Sequence, residues 1–284
     1  MLFGAHVSSS GGIDTAIDRI EAIGGHAVQL FTQSPRAWRQ TAHAPERLER
    51  FRDRRAETGV AYTLCHALYL INLASPDPEL RARSEQALLA TLSVAREIEA
   101  DVVLHVGSHV GGGFEAGLEL ALPALERAVS KTAPTTWLLV ENSAGAGGTI
   151  GRSIDELATV VDRLGRPPCL GICLDSCHLW VSGVDLSSPN VVDALFDDVD
   201  GRIGLARLRA LHINDAATAC GSNRDRHANI GEGVIRDGLE VFVGHRLIQD
   251  LPAILETPGP DGHGPDEAEV ARLRALHEHA VTRS

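Results

Sequence analysis

The stretch Cys169-Leu170-Gly171-Ile172-Cys173-Leu174-Asp175-Ser176-Cys177-His178 decides the fold. A short apolar run ends on a carboxylate, and an imidazole follows three residues later. A run of about 4 to 8 apolar residues closed by polar ones fits a strand buried on both faces. Reading outward in both directions, the same form recurs. Val60 to Cys65 runs into His66, Val102 to Val106 holds His105, and Trp137 to Val140 runs into Glu141. Leu208 to Ile213 holds His212, and Ala253 to Leu255 runs into Glu256. With Asp175, six residues able to bind a metal stand at the ends of successive strand-like runs, 34 to 44 residues apart. Leu2 to Val7 and Ala27 to Phe31 bring the runs to eight.

Helical patterns lie between the runs. Glu79 to Glu99 places Leu80, Ala87, Leu88, Thr91, Leu92 and Ala95 at helical spacing, and Ser153 to Leu164 opens with Ser153 three residues before Glu156, the spacing of a capping box. Eight alternations in 284 residues predict a (β/α)8 TIM barrel, a single domain over residues 1–284, with its active site at the C-terminal ends of the strands. A doubly wound open sheet shows a similar alternation. It would, however, spread the six residues along a line, whereas a closed barrel gathers them on one ring.

Composition narrows the class. With 44% hydrophobic and 23% charged residues the chain reads as a soluble globular protein. No apolar run approaches the roughly 18 residues of a membrane span, and the start Met1-Leu2-Phe3-Gly4 lacks the pattern of a signal peptide, so a cytoplasmic protein without membrane contact is expected. A net charge of −12 excludes a generic basic nucleic-acid coat. It leaves room for a nucleic-acid substrate in a cleft whose bound cations reverse the local sign. Cys65, Cys169, Cys173, Cys177 and Cys220 are odd in number and read as reduced thiols, Cys173 and Cys177 suggesting a thiolate metal pair only faintly.

His178, Asp225 and His227 add further donors, giving five imidazoles and four carboxylates. One tetrahedral zinc takes about four ligands, so this set predicts more than one ion if a carboxylate bridges. Mixed imidazole and carboxylate donors suit Zn2+, with Mn2+ or Fe2+ as substitutes, better than Mg2+ or Ca2+. Any one of these residues alone reads more simply as a satisfied polar strand end; the joint placement carries the metal-centre reading.

Several segments then show a likeness. Gly4 to Gly12 (GAHVSSSGG), Leu64 to Leu73 (LCHALYLINL), His105 to His109 (HVGSH), Val140 to Gly147 (VENSAGAG), Cys173 to His178 (CLDSCH), Leu211 to Asp215 (LHIND), Asp225 to Gly233 (DRHANIGEG) and Ile254 to Thr257 (ILET) resemble the bacterial endonuclease IV family. Its members are barrel-fold, trinuclear-zinc apurinic/apyrimidinic endonucleases of base excision repair, and the resemblance covers nearly the whole chain. It implies one Zn2+ on His66, His105 and Glu141, a second on Glu141, Asp175, His212 and Glu256, and a third on His178, Asp225 and His227. It further implies that Glu141 and Glu256 are catalytic, positioning the nucleophilic water, and that Arg36, Tyr69 and Leu70 enter the duplex. The implied partner is double-stranded DNA with an abasic site, with no obligate protein partner. The implied reaction is hydrolysis 5′ to the lesion, leaving a 3′-hydroxyl and a 5′-deoxyribose phosphate, together with trimming of blocked 3′ ends.

The chain departs from the family at three points. Cys65-His66-Ala67 stands where Pro-His-Asp is usual, removing a carboxylate that could orient the imidazole. Val106 replaces the Pro of His-Pro-Gly, and Gln33 replaces a Lys common in the second loop. From the residues alone, Tyr69 and Leu70 read equally well as core beside Ile71 and Leu73, and Arg36 as stacked near Trp38. His6 and His109 are candidates for phosphate contacts or support behind the ligands, and Asn142 and Asn214, which adjoin ligands, are candidates for support alone; His26, His43, His245, His263, His277 and His279 read as surface residues. Two rival readings remain: a metal-dependent sugar isomerase or epimerase on the same barrel, and a non-catalytic binder of abasic DNA.

Overall fold

A computed structural model describes residues 1–283. Eight strands, β1 (Leu2–His6), β2 (Ala27–Leu30), β3 (Tyr62–His66), β4 (Asp101–Leu104), β5 (Leu138–Glu141), β6 (Leu170–Asp175), β7 (Leu208–His212) and β10 (Pro252–Leu255), pair in parallel. They close into a barrel in the order β1-β10-β7-β6-β5-β4-β3-β2. The expected (β/α)8 architecture is the observed one. Helices α1 (Thr15–Ala22), α2 (Pro45–Glu57), α3 (Pro78–Glu97), α4 (Phe114–Val129), α5 (Ile154–Arg163), α6 (Ser176–Ser182), α7 (Pro189–Asp198), α8 (Asp237–Val243) and α9 (Glu267–Arg283) occupy the connections and the C-terminus. The main apolar core fills the space between the sheet and these helices.

Because side chains alternate along a strand, the barrel interior is layered. Tyr62, Asp101, Trp137 and Arg209 form a polar plug at its N-terminal end. The Tyr62 hydroxyl donates to Asp101 Oδ2 at 2.7 Å, the Trp137 amide donates to Oδ1 at 2.8 Å, and Arg209 lies 4.5 Å over the Trp137 ring. Above it, Ala27, Leu64, Val103, Leu139, Cys173, Ala210 and Ile254 pack as a separate apolar layer. Two residues further along each of those strands stand Gln29, His66, His105, Glu141, Asp175, His212 and Glu256. The pleat thus delivers six of the expected ligands to one level. At β1 the step from Gly4 leads to His6, and Gly4 is required there, since a Cβ would sit 1.8 Å from the Ala27 carbonyl oxygen of β2.

Local signals act largely as expected. Asp77 caps α3, accepting from the Glu79 amide at 2.9 Å, with Pro78 opening the helix. Ser153 caps α5 through the Glu156 amide at 3.2 Å, but the box is not reciprocal: the Glu156 carboxylate accepts from Gly151 and Arg152 instead of Ser153. The connection after β7 breaks the simple alternation. It contains an antiparallel pair, β8 (Asp215–Ala216) and β9 (His227–Ala228), ahead of α8. Among the described residues no helix is long and apolar enough to cross a membrane, and all five cysteines are free.

Candidate metal centre

The strand ends and the connections after β6 and β7 bring the nine donors together. Glu141, fully buried at the end of β5, lies at the centre: His212 Nδ1 is 2.8 Å from its Oε1, His105 Nε2 3.1 Å and His66 Nε2 3.6 Å from its Oε2, and His178 Nδ1 3.4 Å from Oε1. His178 stands on the first turn of α6, where Asp175 caps the helix through the His178 amide. Its Nε2 is 3.3 Å from Asp225 Oδ2, and His227, on β9, places Nε2 3.2 Å from Asp225 Oδ1. His66, His105 and Glu141 have ligand atoms within 4.8 Å of one another; so do Glu141, Asp175, His212 and Glu256, and likewise His178, Asp225 and His227.

Each imidazole needs one nitrogen tied down if the other is to bind a metal. Backbone carbonyls do this for three of them. His66 Nδ1 donates to Ala67 O at 2.6 Å, His178 Nδ1 to Asn142 O at 3.0 Å, and His227 Nδ1 to Glu256 O at 3.3 Å, so each presents Nε2 to the carboxylates. The Ala67 carbonyl therefore orients His66 where the family's carboxylate is missing. Asn142 and Asn214 support the ligands as expected: Asn142 accepts from the Asp175 amide at 2.6 Å, and Asn214 donates to Asp175 Oδ2 at 2.6 Å while accepting from the Glu256 amide at 2.8 Å.

The donor set fits divalent cations. Among the described residues Glu141 Oε2 and His227 Nε2 are buried without a hydrogen-bond partner, an arrangement that is costly unless another group satisfies them. Imidazole and carboxylate oxygen in near-tetrahedral groups are the donors a zinc-type ion takes. The ring is charged accordingly. Burial pushes the Glu141 carboxyl up, but the fields of His105 and His212 outweigh it and hold it well below the usual carboxylate range. Burial alone pulls His227 down, yet Asp175 and Asp225 raise it to about 9. His178 and His212 stand well above their ordinary value against the same burial, whereas burial wins at His105 and His6, which are lowered.

The comparisons with known proteins agree with this geometry. A family model described as the xylose isomerase-like TIM barrel matches residues 17–277. The chain is 38% identical over 279 residues to a probable endonuclease 4 of Natronomonas pharaonis, covering 98% of this chain and 99% of that one. With a probable endonuclease 4 of Halorhodospira halophila it is 41% identical over 269 residues, covering 91% and 89%. The crystal structure of endonuclease IV from Thermus thermophilus superposes with a TM-score of 0.85 at 35% identity, covering 98% of this chain and 100% of the other.

The chain belongs to the endonuclease IV family. It is an enzyme of the endonuclease class, and the convergent donors are its candidate metal centre. The rim carries the remaining expected residues of this family member. Tyr69 is 58% exposed, which removes it from the core, and it packs edge-on against Phe31 and His66 at 5.1 and 5.6 Å. Leu70 is half-buried, and Arg36 is exposed with no hydrogen bond or ion pair among the described residues. A cleft of about 600 Å3 between the first two βα loops, lined by His6, Ser8, Phe31, Gln33 and His43, opens beside the ring.

Several expectations need correction. His43, His245 and His277 are half-buried, and each is bonded: His43 to the Thr32 carbonyl, His245 to Asp193 and His277 to Gln249. His109 accepts from the Gly113 amide, and none of its bonds among the described residues reaches the nine donors. Gln33 turns inward to the Ala37 carbonyl. Cys173 lies in the apolar layer, while Cys177 comes near Asp175 and His227, so the two thiols do not form a pair. The residue the sequence reading missed is Gln29, in direct contact with His212 and Glu256. Its signal was an amide inside the apolar run Ala27 to Phe31.

Proposed function

We propose that the protein is a zinc-dependent apurinic/apyrimidinic endonuclease of base excision repair. It acts as one barrel domain over residues 1–284 in the cytoplasm, hydrolysing the phosphodiester 5′ to an abasic site in duplex DNA. The products are a 3′-hydroxyl and a 5′-deoxyribose phosphate, and blocked 3′ ends are trimmed. The observation that carries this reading is the sharing of Glu141 between two of the three donor groups, with His178, Asp225 and His227 as the third. A sugar isomerase on this barrel needs one proton-transfer centre and has no use for the third group.

The residues that would hold zinc are His66, His105 and Glu141; Glu141, Asp175, His212 and Glu256; and His178, Asp225 and His227. When bound, such ions supply Lewis acidity toward phosphate and a water acidic enough to attack near pH 7. Glu141 and Glu256 would orient that water, their carboxylates lying 2.8 and 3.2 Å from His212 Nδ1. Tyr69, Leu70 and Arg36 enter the duplex from the rim, where an abasic nucleotide is cheaply extruded because it has lost pairing and stacking.

The test is incubation of zinc-replete protein with a duplex holding one tetrahydrofuran abasic analogue, reading strand lengths and end groups. Incision 5′ to the lesion with a 3′-hydroxyl, largely abolished by Glu256→Gln, is expected. Tight binding without incision would make the protein a binder, and turnover of a ketose by a single-ion form would make it an isomerase.

A further inference from the structure

Gln29 occupies one of the two positions of the ligand level that no zinc assignment uses, His6 on β1 being the other. It stands on β2, fully buried, two residues beyond Ala27 of the apolar layer. Its amide nitrogen is 2.6 Å from Glu256 Oε1 and 2.9 Å from His6 Nδ1, and its Oε1 is 2.7 Å from His212 Nε2. A carboxylate only accepts, so the amide must turn its NH2 to Glu256. That choice leaves the carbonyl oxygen facing His212, where it demands a proton on Nε2. With a cation in the donor group, His212 then keeps its proton on Nε2 and offers the lone pair of Nδ1, the atom that faces Glu141 and Glu256. By the same bond Glu256 is turned so that Oε2, and not Oε1, faces the donor group.

We infer that Gln29 is a positioning residue that sets both the metal-facing nitrogen of His212 and the rotamer of Glu256. This rests on the zinc-centre reading given above. His66, His178 and His227 take the equivalent bond from backbone carbonyls, which no substitution removes. His212 alone among these four is oriented by a side chain, and that side chain is shared with a second ligand. One amide therefore couples two members of the Glu141, Asp175, His212 and Glu256 group. Its loss disorders that group while leaving the other two intact.

The experiment compares the zinc-loaded wild type with Gln29→Met, close in volume but without donor or acceptor, and Gln29→Glu, which keeps an acceptor for His212 but loses the donor to Glu256. Long-range 1H–15N correlation on 15N-histidine protein reads the His212 tautomer, and chelator competition reads zinc affinity. In the wild type His212 is protonated on Nε2. In Gln29→Met that signature is lost, one zinc is held about 10- to 100-fold more weakly, and kcat falls with KM little changed. Gln29→Glu keeps the signature and still loses about tenfold in affinity for that zinc. If Gln29→Met does not fold, Gln29→Glu decides on the same two readouts. An unaltered signature in Gln29→Met, or zinc affinity within about twofold of wild type in the variant that folds, overturns the inference. Wild type that shows the signature and binds zinc but leaves the abasic duplex intact overturns the proposed function alone.

Discussion

Asp215 offers a test of how the third donor group is built. It is fully buried, and its carboxylate accepts four backbone N–H bonds: Oδ1 from Ala216 at 2.8 Å and Ile235 at 3.0 Å, Oδ2 from Gly233 at 3.1 Å and Gly231 at 3.2 Å. Gly233 must remain glycine for this, since a Cβ would lie 2.3 Å from Oδ1. In Asp215→Ala the Ala216 and Ile235 amides sit at buried residues and lose their partner, at about 1–3 kcal/mol each. Gly231 and Gly233 are open enough to turn to water and add roughly 0.5 kcal/mol each. The total is about 3–7 kcal/mol. With an unfolding entropy of ~2.1 cal/mol/K per residue, Tm falls by about 5–12 °C in thermal unfolding of the metal-free protein. Asp215→Asn serves one pair of amides with its oxygen but turns its own donors on the other, so it falls between. The damage is also functional. β8 holds β9 and with it His227, so Asp215→Ala should lose about tenfold or more in affinity for one zinc, as when a supporting residue is removed. A Tm within about 2 °C of wild type, or an unaltered zinc affinity, would refute the view that this carboxylate organises the hairpin.

Three further outcomes are expected. In metal-free protein the raised His227 binds its proton more tightly folded than unfolded; its stabilisation is complete below the unfolded value of about 6.5 and lost as pH rises through about 9. The lowered Asp225 and Glu256 act oppositely, their stabilisation being present above about 4 and lost in acid. Tm of the chelator-treated protein should therefore decline on both sides of a maximum near ~pH 5–6.5, and a flat profile would contradict the assigned charges. Arg36→Ala should lower the salt-dependence slope of duplex binding by about one, and Tyr69→Ala should weaken binding to abasic duplex by about 1–3 kcal/mol through lost stacking. Neither should move Tm, since both side chains are exposed. Asp101→Ala should do the reverse: it removes the acceptor of Tyr62 and the Trp137 amide and destabilises by about 2–4 kcal/mol. It sits at the barrel end opposite the donors, so kcat should hold.

What the sequence shows and what it hides follow from the same two-residue pleat. The ligands at the ends of β3, β5, β6, β7 and β10 are legible because each follows an apolar residue by two positions, so that Leu64, Leu139, Cys173, Ala210 and Ile254 announce the direction in which His66, Glu141, Asp175, His212 and Glu256 point. The same rule applied to Ala27 leads to Gln29. An amide carries no metal-binding chemistry, however, and its role exists only through partners 183 and 227 residues away in the chain. The β8–β9 hairpin is hidden for a different reason: strands of two residues have no periodicity to read, and their pairing depends on the non-local bonds that Asp215 receives from residues 231, 233 and 235. Tyr69 was undecidable from sequence because an apolar neighbourhood in one dimension does not say which side chain the turn after β3 throws outward. Legibility thus ends where a residue's role is set by partners and not by its own chemistry. Support residues such as Gln29 and Asp215 are for that reason the positions at which mutation tells most about how the centre is assembled.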